Sequence, residues 1–247
     1  MSEKPLSYGK LCSIFYDATK AYAPEAEVNF YAKFIESKPG RVLEAMSGSG
    51  RLQIPLIKKG YVVDGVDNSE IMLASCRARC KELNLNPEIY NQSLEDLKLP
   101  HKYSTITIAV GSFQLICDRS SALKVLKNLH AHMEPNGNLL IDVFVPDFSA
   151  DPRSERFARI DNHTVIKLTT RYVYDFENKL ADGFCNYELI VDGQIIERES
   201  ELITVTWYSD EELEELFDQA GFKIIKIYDE TFRASGPSRV VQAVLKN

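Results

Sequence analysis

Apolar residues recur along this 247-residue chain in two rhythms, and the change from one to the other divides it. Short β-branched runs over Arg41 to Ala45, Tyr61 to Val66 and Tyr103 to Val110 read as buried strands. Between them the apolar positions fall three and four apart, as in Val28, Tyr31 and Ile35, or Ala122, Val125, Leu126, Leu129 and Met133, the spacing of one helix face. The segment before Arg41 reads as two helices; Pro24, Glu25 and Glu27 open the second, and Lys38-Pro39-Gly40 ends it. Leu52 to Lys59 is expected to be helical and to stop at Gly60. Ser69 caps a helix running through Leu83, a strand near Glu88 to Asn91 follows, and Asp118 precedes the next helix. Pro135-Asn136-Gly137 breaks that helix before a fifth strand over Asn138 to Val145. Strands alternating with helices imply a parallel sheet.

From His163 to Tyr208 the rhythm becomes alternation, interrupted at Glu177-Asn178-Lys179 and at Asp192-Gly193, which signals antiparallel hairpins. Ser209 and Glu212 then form a capping box ahead of the stripe Leu213, Leu216 and Phe217, and Gly221 ends that helix. Phe222 to Tyr228 and Arg239 to Leu245 close the main sheet as a hairpin.

The densest chemical signal is Arg41-Val-Leu-Glu-Ala-Met-Ser-Gly-Ser-Gly50, followed by the apolar run that ends in Asp67. Glycines at 48 and 50 allow a tight bend close to a ligand, and Asp67 stands at a strand end where an acid accepts hydrogen bonds from ribose hydroxyls. The third glycine of a nicotinamide fingerprint is replaced by Gln53, so close packing over a pyrophosphate is not provided for. An adenosine ligand without a diphosphate, facing the carboxylate of Glu44, suggests S-adenosylmethionine, with Glu44 on its ammonium.

Charge and composition narrow the partners. A net charge of −7 disfavours binding to a phosphate backbone, so a small-molecule acceptor is expected and nucleic acid is not. No apolar run is long enough to span a bilayer, and a cytoplasmic protein without a membrane partner is expected. Five cysteines without a Cys-x-x-Cys pair, and four histidines without ligand spacing, point to neither a disulfide framework nor a metal.

Glu44-x-x-x-Gly48-x-Gly50 resembles motif I of the class I S-adenosylmethionine-dependent methyltransferases, and Val66-Asp67-Asn68-Ser69-Glu70-Ile71-Met72-Leu73 resembles their acid-plus-helix segment. Trp207 to Phe222 is similar to their last helix and strand. The resemblance spans most of the chain. It implies an α/β, Rossmann-like, seven-stranded and mostly parallel sheet with a terminal antiparallel hairpin, helices on both faces and a small antiparallel β insert. Residues 1–40 are then a helical lid, 41–150 with 208–247 the core, and 151–207 the insert, on which acceptor or a second copy could pack; a homodimer is left open.

The same resemblance gives residues their expected roles. Cofactor contacts fall on Tyr16 in the lid, on Glu44, Ala45, Gly48 and Gly50, on Asp67, Asn68 and Met72, and on Val110 and Gly111 beside the sulfonium. Tyr22 is a second lid candidate. In Gln92-Ser93-Leu94 the family often has an acid at Ser93 for the adenine amine; here Gln92 or Ser93 with Leu94 takes its place. Phe113 and Gln114 look toward the methyl acceptor, although core packing explains Phe113 equally well. An acceptor proton goes to His163, a tyrosine or water, and the product is S-adenosylhomocysteine. Val110-Gly111-Ser112-Phe113 lacks the proline pair that base-modifying relatives often carry, in keeping with a small nitrogen or oxygen acceptor. Two rivals remain: a nicotinamide-dependent oxidoreductase, opposed by Gln53, and a non-catalytic S-adenosylmethionine-binding regulatory protein.

Overall fold

The computed structural model describes residues 8–230 and 238–246. In chain order these form α1 (Lys10–Lys20), α2 (Glu25–Ser37), β1 (Val42–Ala45), α3 (Gln53–Lys58), β2 (Val63–Asp67), α4 (Glu70–Glu82), β3 (Ile89–Asn91), β4 (Tyr103–Ile108) and α5 (Arg119–His132). There follow β5 (Met133–Val143), β6 (Arg153–Arg159), β7 (Thr164–Asp175), β8 (Leu180–Val191), β9 (Gln194–Thr206), α6 (Asp210–Gln219), β10 (Phe222–Glu230) and β11 (Ser238–Leu245). Two compact units result. Tyr22–Val145 and the chain from Trp207 onward make one; the chain up to Ala21 and Pro146–Thr206 make the other.

In the first unit seven strands lie in the order β10-β11-β5-β4-β1-β2-β3. β1 to β5 are parallel, and β11 sits antiparallel between β5 and β10. This is the expected sheet with its terminal hairpin. β1 is fully enclosed, with Glu44 level with Gly65 of β2 and Thr107 of β4. Alternation along β1 sends Leu43 and Ala45 into the core shared with Leu126, Leu216 and Phe217, and turns Val42 to the opposite face with Tyr31, Ile35, Leu52 and Leu56. Glu44 has the parity of Val42.

Three readings of the sequence are corrected. α2 buries Val28, Tyr31 and Ile35 against Val42, Val63 and Leu140, so it is part of the core unit. The 1–40 lid therefore splits at Ala21, with only α1 in the other unit. Pro135-Asn136-Gly137 lies within β5 as a bulge between the pairs Tyr103–Met133 and Thr105–Asn138, with Asn136 at φ +63°. The second sheet, β6-β7-β8-β9, has a strand that the alternation from His163 onward did not include. β6 escaped notice because it is a polar edge strand in which Ala158 alone is buried.

The Asp192-Gly193 turn has φ +48° and +79°, the left-handed pair of a two-residue hairpin. α1 covers this second sheet with Leu11, Cys12 and Phe15 against Ala158, Ile166, Leu168 and Tyr187. Glu199 caps its first turn, accepting from the Leu11 and Cys12 amides at 3.1 and 3.0 Å, while Glu201 accepts from Gly9. No described helix is long and apolar enough to cross a membrane.

At the amino-terminal edge of the main sheet Arg41 reaches Asp64 with one guanidinium nitrogen, 2.7 and 2.9 Å from the two carboxylate oxygens, and Tyr103 Oη donates at 3.1 Å. Asp64, Glu88 and His101 bring their ligand atoms within 4.8 Å of one another, yet the cation among them is that guanidinium. Arg41→Met would leave the Asp64 carboxylate, 2% exposed, without its counter-ion. Because the guanidinium is 30% exposed, we expect a loss of about 2 kcal/mol, below the 3–5 kcal/mol of a fully enclosed pair, read as a lower urea midpoint at unchanged slope.

Candidate active site

The glycine bend is built by a run of left-handed residues. Met46 turns at φ +59° as β1 ends, and the Ser47 amide donates to Val66 O of β2 at 3.1 Å. Gly48 follows at φ +53° and Gly50 at φ +80°, with the Gly50 amide closing the turn on Ser47 O at 2.9 Å. A Cβ on Gly50 would lie 2.6 Å from Cys76 Sγ of α4 and 3.1 Å from Ile54 of α3, so both conformation and packing demand glycine there.

Asp67 ties this bend to the next strand. One carboxylate oxygen accepts from the Gly48 amide at 2.8 Å, and the other from the Ser69 amide at 2.8 Å. Ser69 in turn caps α4, its Oγ accepting from Met72 N–H. Burial raises the Asp67 pKa, opposed by the amides of Ser69, Gly48 and Asn68.

Glu44 is 4% exposed, and its Oε2 has no hydrogen-bond partner among the described residues. Burial pushes its carboxyl up to about 8; the charge of Arg51 and the Gln53 amide pull it down, and Glu27 and Asp67 push it further up. The two acids picked out in the sequence thus stand on adjacent strands, close enough for the Asp67 charge to act on Glu44.

Three residues of the site, Arg51, Glu27 and Arg79, carry no motif and were not assigned a role in it. Arg51 forms a two-pronged pair with Glu27 of α2 at 2.8 and 2.6 Å, and the Ala23 amide donates to Arg51 O at 2.9 Å. Glu27 had looked like a helix-dipole residue only. Arg79 of α4 donates to Ser49 O at 2.8 Å with its guanidinium 4.5 Å from the Tyr22 ring, clamping the bend from its other side. The side chain of Gln53 fills the space of a third glycine: its Nε2 bonds Val63 O at 3.2 Å, and a Cβ on Gly65 would fall 2.7 Å from its Oε1.

A second bend stands at the end of β4. Val110 has φ +59°, costly for a β-branched residue, and Gly111 has φ +68°. Met46 and Val110 therefore place two strained residues beyond the carboxyl ends of adjacent strands, where such strain accompanies function at a cost on the order of 1–3 kcal/mol each.

Of the expected site residues, the structure brings together Glu44, Gly48, Gly50, Asp67 and Met72. Met72 is buried, with its Cε 3.2 Å from where a Gly48 Cβ would stand, so it supports the bend from below. Ala45 is wholly enclosed in the core, and Asn68 is exposed beside Asp67. Gln92 adjoins Asp67 through its amide on Asp67 O at 3.0 Å, but its side chain is engaged by the backbone of Lys98 and not held open for an adenine. Ser93 Oγ accepts from the Glu95 amide at 3.2 Å, and Leu94 is buried with its carbonyl bonded by Asn128.

Other expectations fail on packing. Phe113 is fully enclosed in the main core, its ring 6.1 Å from that of Tyr208, and so presents nothing to an acceptor. Gln114 is equally buried and spends its amide on the Phe144 backbone, at 2.8 and 2.7 Å, joining the β4 bend to the end of β5. His163 stands exposed before β7, 2.6 Å from Asp192, at the end of the second sheet opposite Thr206; no enclosure makes it a base. Tyr16 lies half-buried on α1 in that same unit, with Lys20 over its ring, whereas Tyr22 belongs to the core unit.

A strand, glycine bend, helix and strand-end acid at one edge of a sheet form an arrangement suited to a nucleoside ligand. Residues 42–137 match the methyltransferase domain family. Over 228 residues, 89% of this chain and 92% of the relative, the chain is 22% identical to a Geobacillus protein named as a methyltransferase. The sugar N-methyltransferase KedS8 of a Streptoalloteichus species superposes with TM-score 0.80 at 15% identity, over 100% of this chain and 97% of its own. CalS10, an amino pentose methyltransferase of Micromonospora echinaspora solved with S-adenosylmethionine bound, superposes with TM-score 0.74 at 15% identity, over 97% and 99%. The chain thus resembles methyltransferases over residues 42–137 and has the fold of these solved ones.

The raised carboxyl of Glu44 has a consequence for the protein without ligand. Between its ordinary 4.5 and about 8 the folded chain holds a proton that the unfolded chain has lost, so stability falls as pH rises through that window. Glu44→Gln keeps the shape and removes the titration. We expect the variant to gain at least about 1 kcal/mol over the parent at pH 8 and to show a shallower decline from pH 5, a residual slope of the same sign coming from Asp67. Chemical denaturation at the two pH values checks both.

Proposed function

We propose that this protein is a methyltransferase that carries a methyl group from S-adenosylmethionine to a nitrogen or oxygen of a small-molecule acceptor. The observation that carries the donor half is Glu44: a buried carboxylate with one oxygen lacking a partner, at the strand tip next to Asp67. Such a group is expensive to leave unsatisfied, and a ligand ammonium satisfies it. Asp67 would hold the ribose hydroxyls, the left-handed bend at Gly48 and Gly50 lets the ligand lie against backbone, and Met72 supports that bend. Gln53 occupies the space a diphosphate-binding bend keeps open, which disfavours a nicotinamide dinucleotide.

When bound, the cofactor supplies a methyl group on a sulfonium, already a good leaving group. The task left to the chain is alignment and exclusion of water, for which orientation alone supplies on the order of 7–11 kcal/mol. The Val110–Gly111 bend, strained and set beside β1, is the element we assign to the methyl position. An acidic chain favours a small acceptor over nucleic acid. The names of two structural neighbours, a sugar and an amino pentose methyltransferase, support an amine on a small polar molecule.

Calorimetric titration with S-adenosylhomocysteine and with NAD tests the donor, and release of S-adenosylhomocysteine over a panel of amines, amino sugars and hydroxyl compounds tests the acceptor. NAD binding without S-adenosylhomocysteine binding would overturn the proposal; cofactor binding with no turnover on any acceptor would favour a regulatory binder. Asp67→Ala should weaken S-adenosylhomocysteine at least about tenfold, since a bond to a charged group is worth about 1.5–3 kcal/mol. Unchanged affinity would remove Asp67 from the site.

A further inference from the structure

Glu27, Arg51 and Glu44 form a buried group with two acids and one cation, and their division into partners is uneven. Both guanidinium nitrogens that bond a carboxylate go to Glu27, at 2.8 and 2.6 Å, whose side chain is 2% exposed. The cation that acts on Glu44 is this same Arg51, through space, while Glu44 Oε2 has no hydrogen bond among the described residues. Facing Glu44 from the other elements are Asp67 of β2, which opposes its ionisation, the Gln53 amide of α3, which favours it, and the Cys76 thiol of α4, which stays neutral because Cys80 and burial raise its pKa.

We propose that Glu27 is a positioning residue for the methyl donor: by holding Arg51 in two bonds it withholds that cation from Glu44, so that the ligand's ammonium becomes the counter-ion Glu44 lacks and its arrival expels the Glu44 proton. The inference rests on the donor reading above and adds to it the residue on α2 that sets the charge of the subsite. It accounts for a buried ion pair beside the Glu44 carboxyl. It also gives α2 a role besides covering the sheet, because Glu27 reaches the end of the bend at Arg51 from that helix.

The test uses the intact protein with two ligands, S-adenosylhomocysteine, which carries the ammonium, and 5′-methylthioadenosine, which has the adenosine and thioether but no amino-acid arm. Titration calorimetry in buffers of different ionisation enthalpy counts protons exchanged. With the parent protein, S-adenosylhomocysteine should release close to one proton between about pH 6 and 7.5, its affinity rising nearly tenfold per pH unit, and 5′-methylthioadenosine should release none. Glu27→Gln frees Arg51 to turn to Glu44. Affinity for S-adenosylhomocysteine at pH 7.5 should then fall about tenfold and lose most of its pH slope, while 5′-methylthioadenosine stays within about twofold.

No proton release by the parent protein overturns the proposal without recourse to any variant. So does an equal loss for both ligands in Glu27→Gln, which marks a merely structural pair. If neither ligand binds the parent, the donor reading falls instead, which keeps the two failures apart.

Discussion

The bond from the Gly48 amide to the Asp67 carboxylate is the contact on which the site depends. It fixes the bend that follows β1 against the tip of β2, and through Ser69, on the other oxygen, it fixes the start of α4 as well. A bend made of serines and glycines has few side chains with which to hold itself. Here its rigidity is supplied from outside: Asp67 below, Arg79 on Ser49, and Arg51 anchored to Glu27. Each anchor comes from a different element, β2, α4 and α2.

Charge is distributed unequally between the two ends of the sheet. At the amino-terminal edge Asp64 is matched by Arg41 and by the Tyr103 hydroxyl, an arrangement complete in itself. At the carboxyl edge Glu44 and Asp67 both have raised pKa values, with burial the leading cause. Buried acids that remain poorly compensated cost stability, and these two stand at the edge that carries the left-handed bends after β1 and β4.

The strands of the main sheet and the acids were legible because they rest on local signals: β-branched runs, glycines that must turn left, and capping residues such as Ser69 and the Ser209–Glu212 box, whose two bonds form as expected. What was not legible depends on long-range partners. Glu27 and Arg51 are 24 positions apart in sequence, and nothing in the spacing marks them as a pair. Phe113 and Gln114 were misread for the opposite reason: they follow the bend at Val110 and Gly111 in sequence, but the short turn from Ser112 to Leu115 rolls them inward, onto Tyr208 and the Phe144 backbone. Proximity to a functional bend says little about direction. β6 was invisible because alternation needs a buried face to leave its trace, and an edge strand with one enclosed residue leaves none.

Gln53 links the architecture to the choice of ligand. In a dinucleotide-binding unit a glycine at this place lets helix and strand close together so that a pyrophosphate sits on the helix end. Here the glycine is on the opposing strand, at Gly65, and the side chain it accommodates is that of Gln53, hydrogen-bonded to Val63 O and to the Cys76 thiol. The close contact is kept and its polarity reversed. The backbone amide of the same residue faces Glu44. An N–H that serves a phosphate in a diphosphate-binding bend here faces a carboxylate.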